Sequence, residues 1–212
     1  MPNATYLLFY VCFLMPSHSP RIGLLGGSFN PAHEGHLYIS LEALKRLKLD
    51  EIWWLVTPQN PLKPAAGMAP YKERFASAQK VTRGAQHIRV SDFEKREGLY
   101  YTYATLRALK SHYPKTQFIW IMGADNLAGF HRWQHWRAIA RMVPIAIFDR
   151  APFSHTALHT KAALALKSWR LKQKDIAALA ERSGHWAYIL IRRHPASSTH
   201  IRTQRSSRGK ST

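Results

Sequence analysis

The sequence has one cysteine, Cys12, in 212 residues. A single thiol excludes an internal disulfide and any cysteine-based zinc cluster, so packing alone must hold the interior. Long apolar runs are missing too. The first twenty residues carry no charged side chain, and their one apolar stretch, Tyr6 to Met15, is about half the length that crosses a bilayer. It has no basic stretch before it and no small-residue cleavage site after it, so neither a span nor a secretory signal is expected. The chain is expected in the cytoplasm, with residues 1–20 as an extension outside the folded domain; either Met15 is the initiator and residues 1–14 a start-site error, or Met1 is and the segment is a loosely attached arm. Acidic residues are scarce: 12 against 31 lysines and arginines, a formal charge of +19. Such a surface attracts anions, whether nucleic acid, anionic lipid or phosphorylated small molecules.

What is present is a globular balance, 46% hydrophobic and 20% charged, in a length that fits one domain. From Arg21 onward short apolar runs alternate with helical periodicity. This predicts an α/β fold, a Rossmann-like, doubly wound parallel sheet in a single domain. The expected strands are Ile22 to Leu25, Ile52 to Val56, His87 to Val90, Phe118 to Met122, Val143 to Phe148 and Trp186 to Ile191. Helices are expected after Gly35, over Tyr71 to Val81 and over Thr102 to His112, and Ala157 to Arg182 reads as one long alanine- and leucine-rich helix. Pro58 to Pro70 is a proline-rich loop, and Ser198 opens a short terminal helix. The domain spans residues 21–202, and 203–212 form a basic tail with nothing to bury. Residues 151–212 hold twelve Lys/Arg against two acids, residues 21–150 nineteen against ten. The C-terminal third is therefore the more cationic part.

The stretch from Gly23 to His36, Gly-Leu-Leu-Gly-Gly-Ser-Phe-Asn-Pro-Ala-His-Glu-Gly-His, follows the first strand and runs into a helix. In such sheets phosphates bind there, on the amides of the turn, and Gly26 and Gly27 let the backbone approach a bound group. A dinucleotide fingerprint needs glycines at fixed spacing followed by an acid for the ribose, and a P-loop needs Gly-Lys-Ser/Thr; both are absent. His33 and His36 sit beside the positive helix end, able to donate to a phosphorus centre on which negative charge builds. A metalloprotease zinc site would need histidines four apart on a formed helix; here the gap is three and Gly35 interrupts.

Gly26 to His36 resembles the signature of the nucleotidylyltransferase superfamily, whose phosphate-binding motif is (His/Thr)-x-Gly-His. Its second element, Ser/Thr-rich with a closing arginine, is matched by Ser197-Ser-Thr-His-Ile-Arg202. Within the superfamily the chain is similar to the nicotinate-nucleotide adenylyltransferase family, over about Arg21 to Arg202. The resemblance implies roles. His36, His33 and Arg202 would touch the reacting phosphates. Gly26, Gly27, Ser28, Phe29, Lys63, Ser198 and Thr199 would hold ATP, with Gly123 and Asp125 on its ribose. Asn60, Thr102 and Trp133 would receive the mononucleotide, Trp133 by stacking on the pyridine ring and Thr102 from the start of its helix, where it also suits an N-cap. Trp136 is a core residue by default.

The implied reaction joins nicotinate mononucleotide to ATP, giving nicotinate adenine dinucleotide and pyrophosphate. Its nucleophile is a phosphate oxygen already ionised at neutral pH, so no general base is required. Catalysis is then alignment and charge neutralisation. Mg²⁺ would be held mainly by ATP phosphates and water, without dedicated protein ligands. The alternatives are a nicotinamide-mononucleotide or pantetheine-phosphate adenylyltransferase. A basic nucleic-acid-binding protein is the rival of another class, and no aromatic-basic or helix-turn-helix pattern supports it. The sequence leaves the oligomeric state open, a homo-oligomer included.

Overall fold

The structure, a computed structural model, describes residues 19–59, 66–149, 156–192, 196, 198, 201 and 202. The extension before residue 19, the tail after 202, and Asn60, Lys63 and Thr199 lie outside the described residues.

Six strands form one sheet: β1 (Arg21–Gly27), β2 (Glu51–Val56), β3 (Ile88–Ser91), β4 (Gln117–Gly123), β5 (Ile145–Phe148) and β6 (Trp186–Ile189). Their order is β3-β2-β1-β4-β5-β6 and every pairing is parallel. The strands are continuous apolar runs because helices cover both faces of the sheet. One face packs Leu25, Trp54, Ile121 and Phe148 under α1 (Glu34–Leu47), α2 (Tyr71–Val81) and the 3₁₀ segment Gln173–Glu181. Leu24, Trp53, Trp120 and Ile147 line the other face. There they meet residues of α4 (Thr102–His112), α5 (Ala124–Gly129), α6 (Trp136–Met142) and α7 (Lys161–Ala165). Between β3 and α4 lies the single turn α3 (Phe93–Arg96). Successive residues along each strand alternate between these faces, as the period of two requires.

After β3 the chain returns to the middle of the sheet and adds β4 on the other side of β1. That reversal opens a crevice at the carboxyl ends of β1 and β4, where ligands bind in open α/β sheets.

The expected long helix over Ala157 to Arg182 is not formed. The chain instead makes a 3₁₀ turn, Ala157–His159, then α7, a second turn, Lys167–Trp169, and the 3₁₀ segment Gln173–Glu181. Thr160 is the first breaker: it is extended, and its hydroxyl caps α7 by accepting from the Ala163 N–H. The second is β6, since Leu171 N–H donates to the Trp186 carbonyl at 2.8 Å and the Trp186 indole N–H to the Leu166 carbonyl at 2.7 Å. Tertiary hydrogen bonds override the helical propensity of the alanines.

Candidate active site

His33 is the N-cap of α1, its ring buried at 4% exposure. Its Nδ1 accepts from the Gly35 N–H at 3.1 Å, while Nδ1 of His36 accepts from the His33 N–H at 3.3 Å. This is a reciprocal capping box built from two imidazoles. A backbone N–H can only donate, so both Nδ1 atoms are acceptors and each neutral ring carries its proton on Nε2. The helix start thus offers a pair of fixed N–H donors, their ring centroids 3.9 Å apart. His36 is further held by Phe29, 4.9 Å away, and by the edge of Trp54 at 5.8 Å. Trp54 is anchored in turn, its indole N–H donating to Ser40 Oγ at 2.8 Å. Phe29 stacks on Trp54 at 4.9 Å and occupies the left-handed region at φ 48°, a strained backbone for a residue with a side chain.

Ser198 and Arg202 come back to the loop after β1 here. Ser198 Oγ donates to the Pro31 carbonyl at 3.0 Å and Arg202 Nη1 to the Asn30 carbonyl at 2.7 Å. A Cβ added to Gly35 would sit 3.0 Å from the Ala196 carbonyl oxygen and 2.9 Å from the His33 ring. The glycine of the His-x-Gly-His string therefore admits both the folded imidazole and the returning backbone.

At Gly26 an added Cβ would lie 2.5 Å from the Trp120 indole, so packing on β4 also requires a glycine here. At Gly27 a Cβ would make ordinary contact with Phe29. Ser28 Oγ is buried with no hydrogen-bond partner among the described residues.

On the neighbouring strand, Gly123 ends β4 and precedes Asp125 in the first turn of α5. Asp125 Oδ1 is likewise buried and unpartnered, a carboxylate oxygen with acceptor capacity to spare. Trp133 follows the 3₁₀ turn Phe130–Arg132 and is half-buried, with its ring edge-on to Phe130 at 5.3 Å and to Trp120 at 6.1 Å. Trp136 belongs to the core, as expected. Thr102 does begin α4, but as its first helical residue; Tyr101 occupies the N-cap and makes no side-chain cap bond. Thr102 is therefore not the N-cap.

Two buried charges were not anticipated. Arg74 on α2 is 2% exposed and donates to the carbonyls of Ser28, Thr57, Pro58 and Ala69. Burial draws its guanidinium below the usual arginine range. Glu94 on α3 is 3% exposed and accepts from Thr105 Oγ1 at 2.8 Å. Its pKa is raised because burial outweighs the hydrogen bonds from Thr105 and Thr57. A carboxyl whose pKa is higher folded than unfolded adds stability that is complete below the unfolded value and is lost as pH rises through the folded one. Glu94→Gln, which stays neutral, is therefore expected to melt above the unsubstituted protein at pH 8, by about 2–4 °C for each kcal/mol regained. Near pH 4 the two melting curves converge. Thermal melts across pH check this, and a constant difference would contradict it.

A family model described as Cytidylyltransferase-like matches residues 24–204. The chain is 50% identical over 183 residues to a probable nicotinate-nucleotide adenylyltransferase of Bradyrhizobium sp. (strain ORS 278), covering 86% of this chain and 95% of that protein. A protein of the same name from Gluconobacter oxydans is 44% identical over 183 residues, 86% of this chain and 93% of its own. Among solved structures, the Plasmodium falciparum nicotinic acid mononucleotide adenylyltransferase complexed with NaAD superposes with a TM-score of 0.65 at 16% identity. That match covers 87% of this chain and 83% of the other and speaks for the fold. No helix among the described residues is long and apolar enough to cross a membrane. With its nucleotidylyltransferase sheet, its paired end motifs and close relatives over most of its length, the chain belongs to the nicotinate-nucleotide adenylyltransferase family of the cytidylyltransferase-like group.

Proposed function

We infer that this protein transfers the adenylyl group of ATP to nicotinate mononucleotide, releasing pyrophosphate and forming nicotinate adenine dinucleotide, a step of NAD biosynthesis. The observation that carries the reading is the meeting of the two end motifs, with Ala196 against Gly35, Ser198 on Pro31 and Arg202 on Asn30. Relatives of that name at 44% and 50% identity support the same substrates.

In this reading the mononucleotide phosphate attacks the α-phosphorus of ATP in line, and the bond to pyrophosphate breaks as the new P–O bond forms. No proton needs to move. The Nε2–H groups of His33 and His36 donate to the α-phosphate oxygens, where charge grows in the transition state. Arg202, Ser198 and Thr199, with Lys63 from the loop after β2, attend the triphosphate. Gly26 to Phe29 line its path. Gly123 and the open Asp125 oxygen take the adenosine ribose. Asn60 and Thr102 hold the mononucleotide while Trp133 stacks on its ring. Mg²⁺ would be carried by ATP, held mainly by its phosphates and water. Bound to the phosphates, it would offset their charge. The reading places the protein in the cytoplasm with its nucleotide substrates.

The test is a pyrophosphate-release assay with ATP, Mg²⁺ and, separately, nicotinate mononucleotide, nicotinamide mononucleotide or phosphopantetheine. Release is expected to be fastest with the acid mononucleotide; silence with all three would sink the assignment. In the same assay Trp133→Ala is expected to raise KM for the mononucleotide about 10-fold, the equivalent of one aromatic stacking contact. KM for ATP should stay unchanged.

A further inference from the structure

Beneath the loop that carries Gly27, Ser28 and Phe29 lies a cation that the reaction above does not use. The Arg74 guanidinium is forked onto four carbonyl oxygens. Nη1 donates to Ser28 at 2.7 Å and to Thr57 at 2.8 Å, Nη2 to Pro58 at 2.7 Å and Nε to Ala69 at 3.0 Å. None of the ion pairs among the described residues includes it. The face of Tyr71 lies 5.4 Å from it.

The four acceptors belong to three separate segments: the loop after β1, the start of the loop after β2, and the stretch leading into α2. Three further bonds tie the first of these to the third and to α2. The Asn30 carboxamide donates to the Gly67 carbonyl at 2.9 Å and accepts from the Ala69 N–H at 3.2 Å. Ser77, one turn beyond Arg74 on α2, accepts from the Ala32 N–H at 3.1 Å.

We propose that Arg74 is a positioning residue for adenylyl transfer, setting the spacing between the triphosphate loop after β1 and the mononucleotide loop after β2 and lending its charge to the bound polyphosphate. This rests on the adenylyl-transfer reading. Two physical effects follow from the geometry. A cation hydrogen-bonded to the Ser28 carbonyl polarises the Ser28–Phe29 peptide, making the Phe29 N–H a stronger donor. Water scarcely screens a buried charge, so without a carboxylate partner its field acts on an incoming polyanion. Lysine cannot reproduce the first effect across several loops, because an ammonium lacks the planar fork.

The experiment measures kcat and both KM values for Arg74→Lys and Arg74→Met, together with melting temperatures, at a temperature below both melts. Arg74→Lys keeps the charge and loses the fork. Its KM for ATP is expected within about 3-fold of the unsubstituted protein while kcat falls at least about 10-fold. Arg74→Met loses both, so KM for ATP should rise about 10-fold and kcat fall about 100-fold. Should the Met variant not fold, the Lys variant decides alone. A folded Lys variant with kcat within about twofold of the unsubstituted protein would overturn the proposal, even if it melts lower, since the residue would then be structural only. Silence of the unsubstituted protein would count against the adenylyl-transfer reading instead.

Discussion

Replacing His36 with alanine is expected to lower kcat by about 100- to 1,000-fold, the usual cost of removing one donor to a transition-state oxyanion. KM for ATP should change little. The difference arises because the Nε2–H bond strengthens only as the phosphorus gathers charge, so ground-state affinity barely senses it. His36 also caps the backbone through Nδ1. Alanine removes that acceptor too, at about 0.5–2 kcal/mol of stability.

The two ring nitrogens can be tested apart. An asparagine oxygen falls near the position of Nδ1, so His36→Asn should restore the cap and the melting temperature without restoring turnover. Glutamine places its amide near Nε2, so His36→Gln should recover part of the turnover while leaving the cap unmade. Equal losses of kcat and ATP affinity in the alanine variant would show that His36 merely binds substrate. A normal kcat would remove it from the reaction.

The legibility of this site in the sequence was uneven for physical reasons. The opening motif is one contiguous string, and its geometry is local: a strand, a tight turn and a capped helix start set by residues within a dozen positions of each other. The closing motif is equally local, and two such strings at this separation sufficed to predict that they meet. The parallel sheet was legible because strands buried on both faces are uniformly apolar.

Arg74 was not legible, since it sits in the charged run Tyr-Lys-Glu-Arg, which reads as an ordinary helix surface. The one available signal was its phase. Arg74 is four residues before Ala78 and eight before Thr82, on the side of the helix that is buried. Glu94 was hidden in the same way, because the hydroxyls that receive it, Thr57 and Thr105, come from distant segments. The broken helix over Ala157 to Arg182 failed for a related cause: its local propensity is real, but β6 claims the hydrogen bonds of Leu166 and Leu171. The packing demand on Gly26 was not legible either, since only the position of Trp120 in the fold shows that a side chain there would meet an indole.

Gly35→Ala separates catalysis from stability most sharply. In a helix interior, alanine ordinarily gains about 1 kcal/mol over glycine. Here the new methyl would stand 2.9 Å from the His33 ring and 3.0 Å from the Ala196 carbonyl oxygen, closer than such atoms pack. The His33 ring must leave its cap or the returning chain must move away. Overpacking of this kind costs about 1–3 kcal/mol, so the two effects partly cancel and the melting temperature should fall only modestly. Turnover has no such compensation. A shift of His33 displaces one donor, and a shift of Ala196 carries Ser198 and Arg202 away from Pro31 and Asn30. Misplacement by about 1 Å is enough to slow such a reaction about 100-fold. The expected result is a protein that folds, melts near the parent and has lost at least that factor in kcat/KM. If Gly35→Ala turned over at the parental rate, the close approach of the two ends would be dispensable, and with it the reason for a glycine between the histidines.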